Sequence, residues 1–135
     1  MKVLVFDSSA LLAFLFEEPG AGAVEALMHH ASEKEQPMLI SAVNWAEVCY
    51  RVETKRGLDA LARAKEFVSH TRITVVPADR ELAEIAATYK AADMLALADG
   101  FAAALAKHRK AEFVTADREF RAVEKEIKVV WLKDS

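Results

Sequence analysis

Four acids, Asp7, Glu47, Asp99 and Asp117, are the residues of this 135-residue chain whose types and positions could do chemistry together. Each has an ordinary reading on its own. Asp7 follows an apolar strand-like run and Asp117 follows another, and aspartate is among the best helix N-caps. Glu47 falls off the apolar stripe of its helix and has Arg51 at i+4, a pairing worth only a few tenths of a kcal/mol. Asp99 is harder to set aside, because it is the only charge in MLALADGFAAALA, residues 94–106. A buried, unpaired carboxylate costs several kcal/mol, so Asp99 must be exposed, capped, protonated or bound to a cation.

The elements that would carry these acids change the reading. Residues 2–6 (KVLVF), 73–76 (ITVV) and 128–131 (KVVW) read as strands, with shorter ones at 38–40 and 112–114. Their apolar content is nearly continuous, as expected of strands covered on both faces. Helical patterns fill the intervals at 10–16, 22–35, 42–55, 58–71, 79–90 and 98–107, and a short helix follows Asp117. Pro19-Gly20, Pro37 and Gly57 punctuate them. Alternating strands and helices predict an α/β fold, a three-layer α/β/α sandwich around a mostly parallel sheet of about five strands. No linker, repeat or low-complexity segment divides the chain, so residues 1–135 read as one domain.

In such a sheet each crossover helix starts at the carboxyl edge of the strands, where open α/β sheets bind ligands. All four acids sit at or near helix starts, so they should gather at that edge. Clustered carboxylates repel one another unless cations neutralise them. An oxygen-only donor set, with no histidine or thiolate, favours Mg²⁺, with Mn²⁺ as the alternative, over Zn²⁺. Such ions activate water and stabilise the attacking and leaving oxygens of a phosphodiester in an in-line displacement. Ser8, Ser9 and Thr115 are close enough in sequence to bind a phosphate oxygen or a metal-bound water, and each could equally cap a helix.

In order and spacing these segments resemble the PIN domain, and within it the VapC toxins of bacterial and archaeal toxin–antitoxin pairs. The resemblance runs nearly end to end through Asp7-Ser8-Ser9-Ala10-Leu11, Glu17-Glu18-Pro19-Gly20 and residues 41–48 (SAVNWAEV). It continues through Leu97-Ala98-Asp99-Gly100-Phe101 and residues 113–120 (FVTADREF). It implies a PIN-like fold, Mg²⁺- or Mn²⁺-dependent endoribonuclease activity on RNA, a VapB-type antitoxin and a homodimer. It also implies that Asp7, Glu47, Asp99 and Asp117 coordinate the metal and that Thr115 supports them. One departure is Gly100, where similar proteins often carry alanine. A catalytically silent PIN fold that binds RNA or protein is the alternative.

Composition bounds the rest. With 18 basic and 21 acidic residues the net charge is -3, which argues against binding nucleic acid through bulk positive charge. Arg51 and Lys55 follow Glu47 along its helix and Arg118 adjoins Asp117, which makes them the candidates for contacting phosphates of single-stranded or looped RNA. Cys49 is alone, which excludes an internal disulfide and a paired-cysteine zinc site. A nucleophilic-aspartate phosphatase would want an acid where Ser9 stands, and no Gly-rich run precedes Lys-Ser or Lys-Thr. Asp7, Ser8 and Ser9 interrupt the early apolar run, so no secretory signal is expected there, and no stretch is long enough to cross a bilayer. A cytoplasmic protein is expected. The apolar segment 11–16, with Trp45 and Tyr50, reads mainly as core, with a groove for an antitoxin helix or a second protomer as its other use.

Overall fold

The computed structural model describes residues 2–132; the single-domain reading of 1–135 runs past them at Met1 and at 133–135. Five strands, β1 (Leu4–Phe6), β2 (Met38–Ser41), β3 (Ile73–Val76), β4 (Glu112–Thr115) and β5 (Lys128–Trp131), form one sheet in the order β3-β2-β1-β4-β5. Every pairing is parallel, so the sheet is wholly rather than mostly parallel. β1 lies in the middle, with Phe6 opposite Ile40 on one side and Val114 on the other.

Period-two alternation divides the strand side chains between two cores. Leu4, Phe6, Met38, Ile40, Ile73 and Val114 face α1 (Ser8–Leu15), α2 (Ala21–Glu33) and α3 (Ala42–Ser69). Val5, Leu39 and Phe113 face α4 (Arg80–Ala91), α5 (Leu97–Arg109) and a 3₁₀ turn at Arg118–Val123. This is the expected three-layer sandwich. Both faces of the sheet are covered, which is why the strands read as unbroken apolar runs.

Local chemistry sets the boundaries. The carboxylate of Asp7 accepts from the Ala10 amide, so α1 opens at Ser8, two residues earlier than its apolar content suggests. α3 spans both helical patterns read from the sequence and is interrupted at Gly57, whose φ of 89° and ψ of 176° suit glycine. Gly100 has a packing role: a Cβ there would lie 3.0 Å from the Ala86 carbonyl oxygen, so its absence lets α4 and α5 close on each other.

Candidate active site

The carboxyl ends of β1 and β4 flank the point where the strand order reverses direction, the usual ligand crevice of an open parallel sheet. Asp7 leaves β1 and Asp117 leaves β4, each as the N-cap of the element that follows. Glu47 stands in the second turn of α3 and Asp99 in the first turn of α5. All four line one open cavity of about 500 Å³, together with Ser8 and Arg51. The four thus share one sheet edge, but among the described residues only Asp99, Asp117 and Glu119 bring three carboxylate oxygens within 4.8 Å of one another; Asp7 and Glu47 stand outside that group.

The acids differ in how they are held. Asp7 is 2% exposed. Its Oδ1 accepts from the Ala10 amide at 2.9 Å and the Ser9 hydroxyl at 2.8 Å, and its Oδ2 accepts from Thr115 Oγ1 at 2.6 Å. Burial nevertheless pushes its pKa up to about 7, against the pull of Thr115, Ala10 and Ser9 and with a further push from the charge of Asp99. Thr115 is fully buried and its oxygen also accepts from the Asp117 amide at 3.0 Å, so one hydroxyl ties the first acid to the last. Ser9 Oγ accepts from the Ala116 amide at 3.1 Å.

Glu47 is shared between two partners. Ser8 donates to Oε1 at 2.8 Å, and Arg51 Nε stands 3.8 Å from Oε2. The exposed glutamate suggested by its helix position is in fact only 24% exposed. Ser8, Ser9 and Thr115 thus hold acids with their hydroxyls rather than capping helices.

Asp99 receives no hydrogen bond from any described residue, and Ala96 rather than Asp99 is the cap residue of α5. Half-burial raises its pKa to about 6, and the charges of Asp117, Glu47 and Glu119 add to the rise. Its place in the first turn, near unpaired amides, offsets part of that repulsion.

Two further residues belong to the arrangement and escaped the sequence reading. Glu119 brings a carboxylate oxygen within 4.8 Å of one from Asp99 and one from Asp117. Asn44, fully buried in α3, donates from Nδ2 to the Ala98 carbonyl at 3.3 Å and leaves Oδ1 without a protein partner. It ties the start of α3 to the start of α5, and so fixes Glu47 relative to Asp99.

The three candidate cations are not equivalent. Arg51 lines the acid cavity; Lys55 and Arg118 do not. Lys55 sits 4.4 Å above the Phe16 ring and 4.0 Å from Glu18, while Arg118 stacks 5.0 Å above the Trp131 ring. The apolar segment divides as well. Leu11, Leu12 and Ala13 are core, Trp45 packs against that core, and Tyr50 is exposed at the rim of the acid cavity. Phe14, Leu15 and Phe16 line a separate groove of about 440 Å³ against Val52, Ala60 and Phe67.

The donor set fits a hard divalent cation. Asp7, Glu47, Asp99 and Asp117 offer only oxygens, and Arg51 is the only cationic side chain among the residues that line the cavity.

The family model described as the PIN domain matches residues 4–126. No match is found among curated protein sequences. Among solved structures, the chain is similar to one in the Rickettsia felis VapBC2 complex bound to a promoter DNA fragment. There the TM-score is 0.77 at 12% identity, covering 97% of this chain and 99% of that one. It is equally similar to one in DNA-bound VapBC from Salmonella typhimurium, with TM-score 0.77, 19% identity and coverage of 98% and 100%. A third similar structure is Mycobacterium tuberculosis VapC20, described as a sarcin–ricin loop cleaving toxin, with TM-score 0.64, 18% identity and coverage of 89% and 94%.

Proposed function

This chain belongs to the PIN-domain family, and on that premise we propose that it is a metal-dependent endoribonuclease, the toxin of a toxin–antitoxin pair. The observation that carries the reading is the convergence of Asp7, Glu47, Asp99 and Asp117 on one cavity, two of them with raised pKa values. Burial first, and the crowding of like charges second, make ionised carboxylates costly in the metal-free protein, and a divalent cation offsets that cost.

Asp7, Glu47, Asp99 and Asp117 would hold Mg²⁺ or Mn²⁺, and Glu119 stands close enough to Asp99 and Asp117 to join them. When bound, the ion supplies an activated water and charge stabilisation for phosphodiester hydrolysis. The protein's own residues do the positioning. Thr115 and Ser9 fix both oxygens of Asp7, Ser8 fixes one oxygen of Glu47, and Asn44 sets the spacing between α3 and α5. Arg51 is placed to meet a phosphate at the cavity mouth.

RNA as substrate is supported by the family premise and by the described activity of the similar VapC20 structure. A VapB-type antitoxin is supported by the VapBC complexes among the similar structures and by the apolar groove at Phe14–Phe16, of a size and character suited to one face of an amphipathic helix. A homodimer, a single domain over 1–135 and a cytoplasmic location complete the proposal. Among the described residues no helix is long and apolar enough to cross a membrane.

Purified protein, freed of any antitoxin, should cleave RNA with Mg²⁺ or Mn²⁺ and stop on addition of EDTA. Asp7→Ala and Asp99→Ala should abolish cleavage while the circular dichroism spectrum is kept. Variants that cut as fast as the parent would sink the proposed site. Binding without cleavage of any RNA pool would favour a silent binding module instead.

A further inference from the structure

A second groove, of about 300 Å³, lies alongside the acid cavity, and Arg51 lines both. Its other walls include Leu12, Phe16, Glu18, Thr54 and Lys55. Glu47, Arg51 and Lys55 are each four residues apart on α3, so they form one row with a rise of about 6 Å per step. The row runs from a metal-type carboxylate to two cations.

Neither cation is strongly engaged. Arg51 Nε is 3.8 Å from Glu47 Oε2, beyond direct hydrogen-bond range, and its side chain is 54% exposed, so the pairing contributes little. Lys55 is 4.0 Å from Glu18 and rests on the Phe16 ring, whose ring Arg56 also approaches, at 4.9 Å. Among the described residues, Glu47 and Glu18 are the only carboxylates within 4.0 Å of Arg51 and Lys55, and Glu47 is the carboxylate a metal ion would engage.

We propose that this groove is a phosphate subsite for the RNA strand beside the scissile bond, and that Arg51 is its movable member. Arg51 stands beside Glu47 in the metal-free protein and turns to the RNA phosphate once that carboxylate is engaged by a divalent ion. Ser8 keeps Glu47 in place during the exchange, because it holds the other oxygen. The inference rests on the nuclease reading above and adds to it a second site and a path for the strand.

Two measurements without catalysis test it, on the parent, Arg51→Gln, Lys55→Gln and, as a charge-matched control at the opposite sheet edge, Lys2→Gln. The first is Mn²⁺ affinity by calorimetry without RNA. Arg51→Gln should bind Mn²⁺ roughly two- to fivefold more tightly, the range that removal of an exposed, solvent-screened neighbouring charge carries. Lys55→Gln and Lys2→Gln should match the parent. The second is binding of a labelled oligouridylate by anisotropy over a salt series, with Ca²⁺ in place of Mg²⁺. The slope of log K against log salt should fall by about 0.7 for each of Arg51→Gln and Lys55→Gln, and not for Lys2→Gln. Opposite signs on the two ligands for Arg51→Gln are the signature. Weaker Mn²⁺ binding by that variant, or salt slopes equal to the control's, overturns the subsite. A parent that cleaves RNA beside such variants leaves the nuclease reading standing; a parent that neither binds nor cleaves RNA overturns both.

Discussion

Asp7→Asn should make the metal-free protein more stable at neutral pH while destroying its activity. Asp7 is 2% exposed, and burial holds its pKa at about 7 against an ordinary 3.8. The unfolded chain therefore releases this proton near pH 4 and the folded chain keeps it to about pH 7. Stability contributed by the bound proton is complete below the unfolded value and is lost as pH rises through the folded one. A gap of about three pH units at 1.36 kcal/mol each comes to about 4 kcal/mol, of which roughly 2 falls between about pH 5 and pH 7. Asp99, with its pKa near 6, adds a smaller loss of the same sign, lessened because solvent reaches it. The asparagine amide can still accept from the Ala10 amide but can no longer accept from Thr115 and Ser9 together, which costs about 1 kcal/mol or somewhat more. The net gain is about 2 kcal/mol at about pH 8. Urea denaturation in EDTA at about pH 5 and about pH 8 reads it directly. The parent should weaken across that range and regain stability with Mn²⁺; the variant should weaken far less and gain little from the ion. A parent equally stable at both pH values, or a variant less stable than the parent at the higher one, would refute the reasoning.

Two neighbours of the site make further tests. Thr115→Val removes the 2.6 Å donor to Asp7 without changing side-chain shape, so the carboxyl should ionise still less readily. The acid limb of the cleavage pH profile should move up by roughly half a unit or more, with weaker Mn²⁺ binding and an unchanged circular dichroism spectrum; an unmoved profile would count against the Thr115–Asp7 link. Gly100→Ala places a methyl 3.0 Å from the Ala86 carbonyl oxygen, a backbone atom that yields only if α4 and α5 part. Overpacking of about 1–3 kcal/mol should exceed the roughly 1 kcal/mol that alanine gains in helix propensity. The thermal midpoint should fall by a few degrees, and a rise would show that the helices separate freely.

The sequence made the edge of the sheet legible because strand ends and helix starts coincide there, and three of the four acids mark those junctions. Asp7 and Asp117 do cap, as their positions suggest, but capping occupies one oxygen and leaves the carboxylate available for other contacts. Asp99 stood out because an isolated charge among alanines demands an explanation, and among the described residues it has no hydrogen-bonding partner. Asn44 was hidden by its polarity, although it precedes Val48 and Val52 at intervals of four and therefore lies in the buried row of α3. Glu119 gave no signal, since an acid beside Asp117 and Arg118 looks like any solvated turn. Lys55 and Arg118 were close to the acids along the chain, yet long side chains settle on whatever aromatic ring is near, and Phe16 and Trp131 drew them aside.

The central place of β1 also sets an order in time. A chain emerging from the ribosome presents Asp7 before either strand that flanks β1, and those strands arrive separately, β2 first and β4 much later. The hydroxyl that steadies Asp7 belongs to Thr115, and the last acid is Asp117. A nascent chain stopped before these residues carries the first acid without the partners that surround it in the folded cavity. If the cavity does cleave RNA, the ribosome and message making it are spared until Thr115 and Asp117 have been translated.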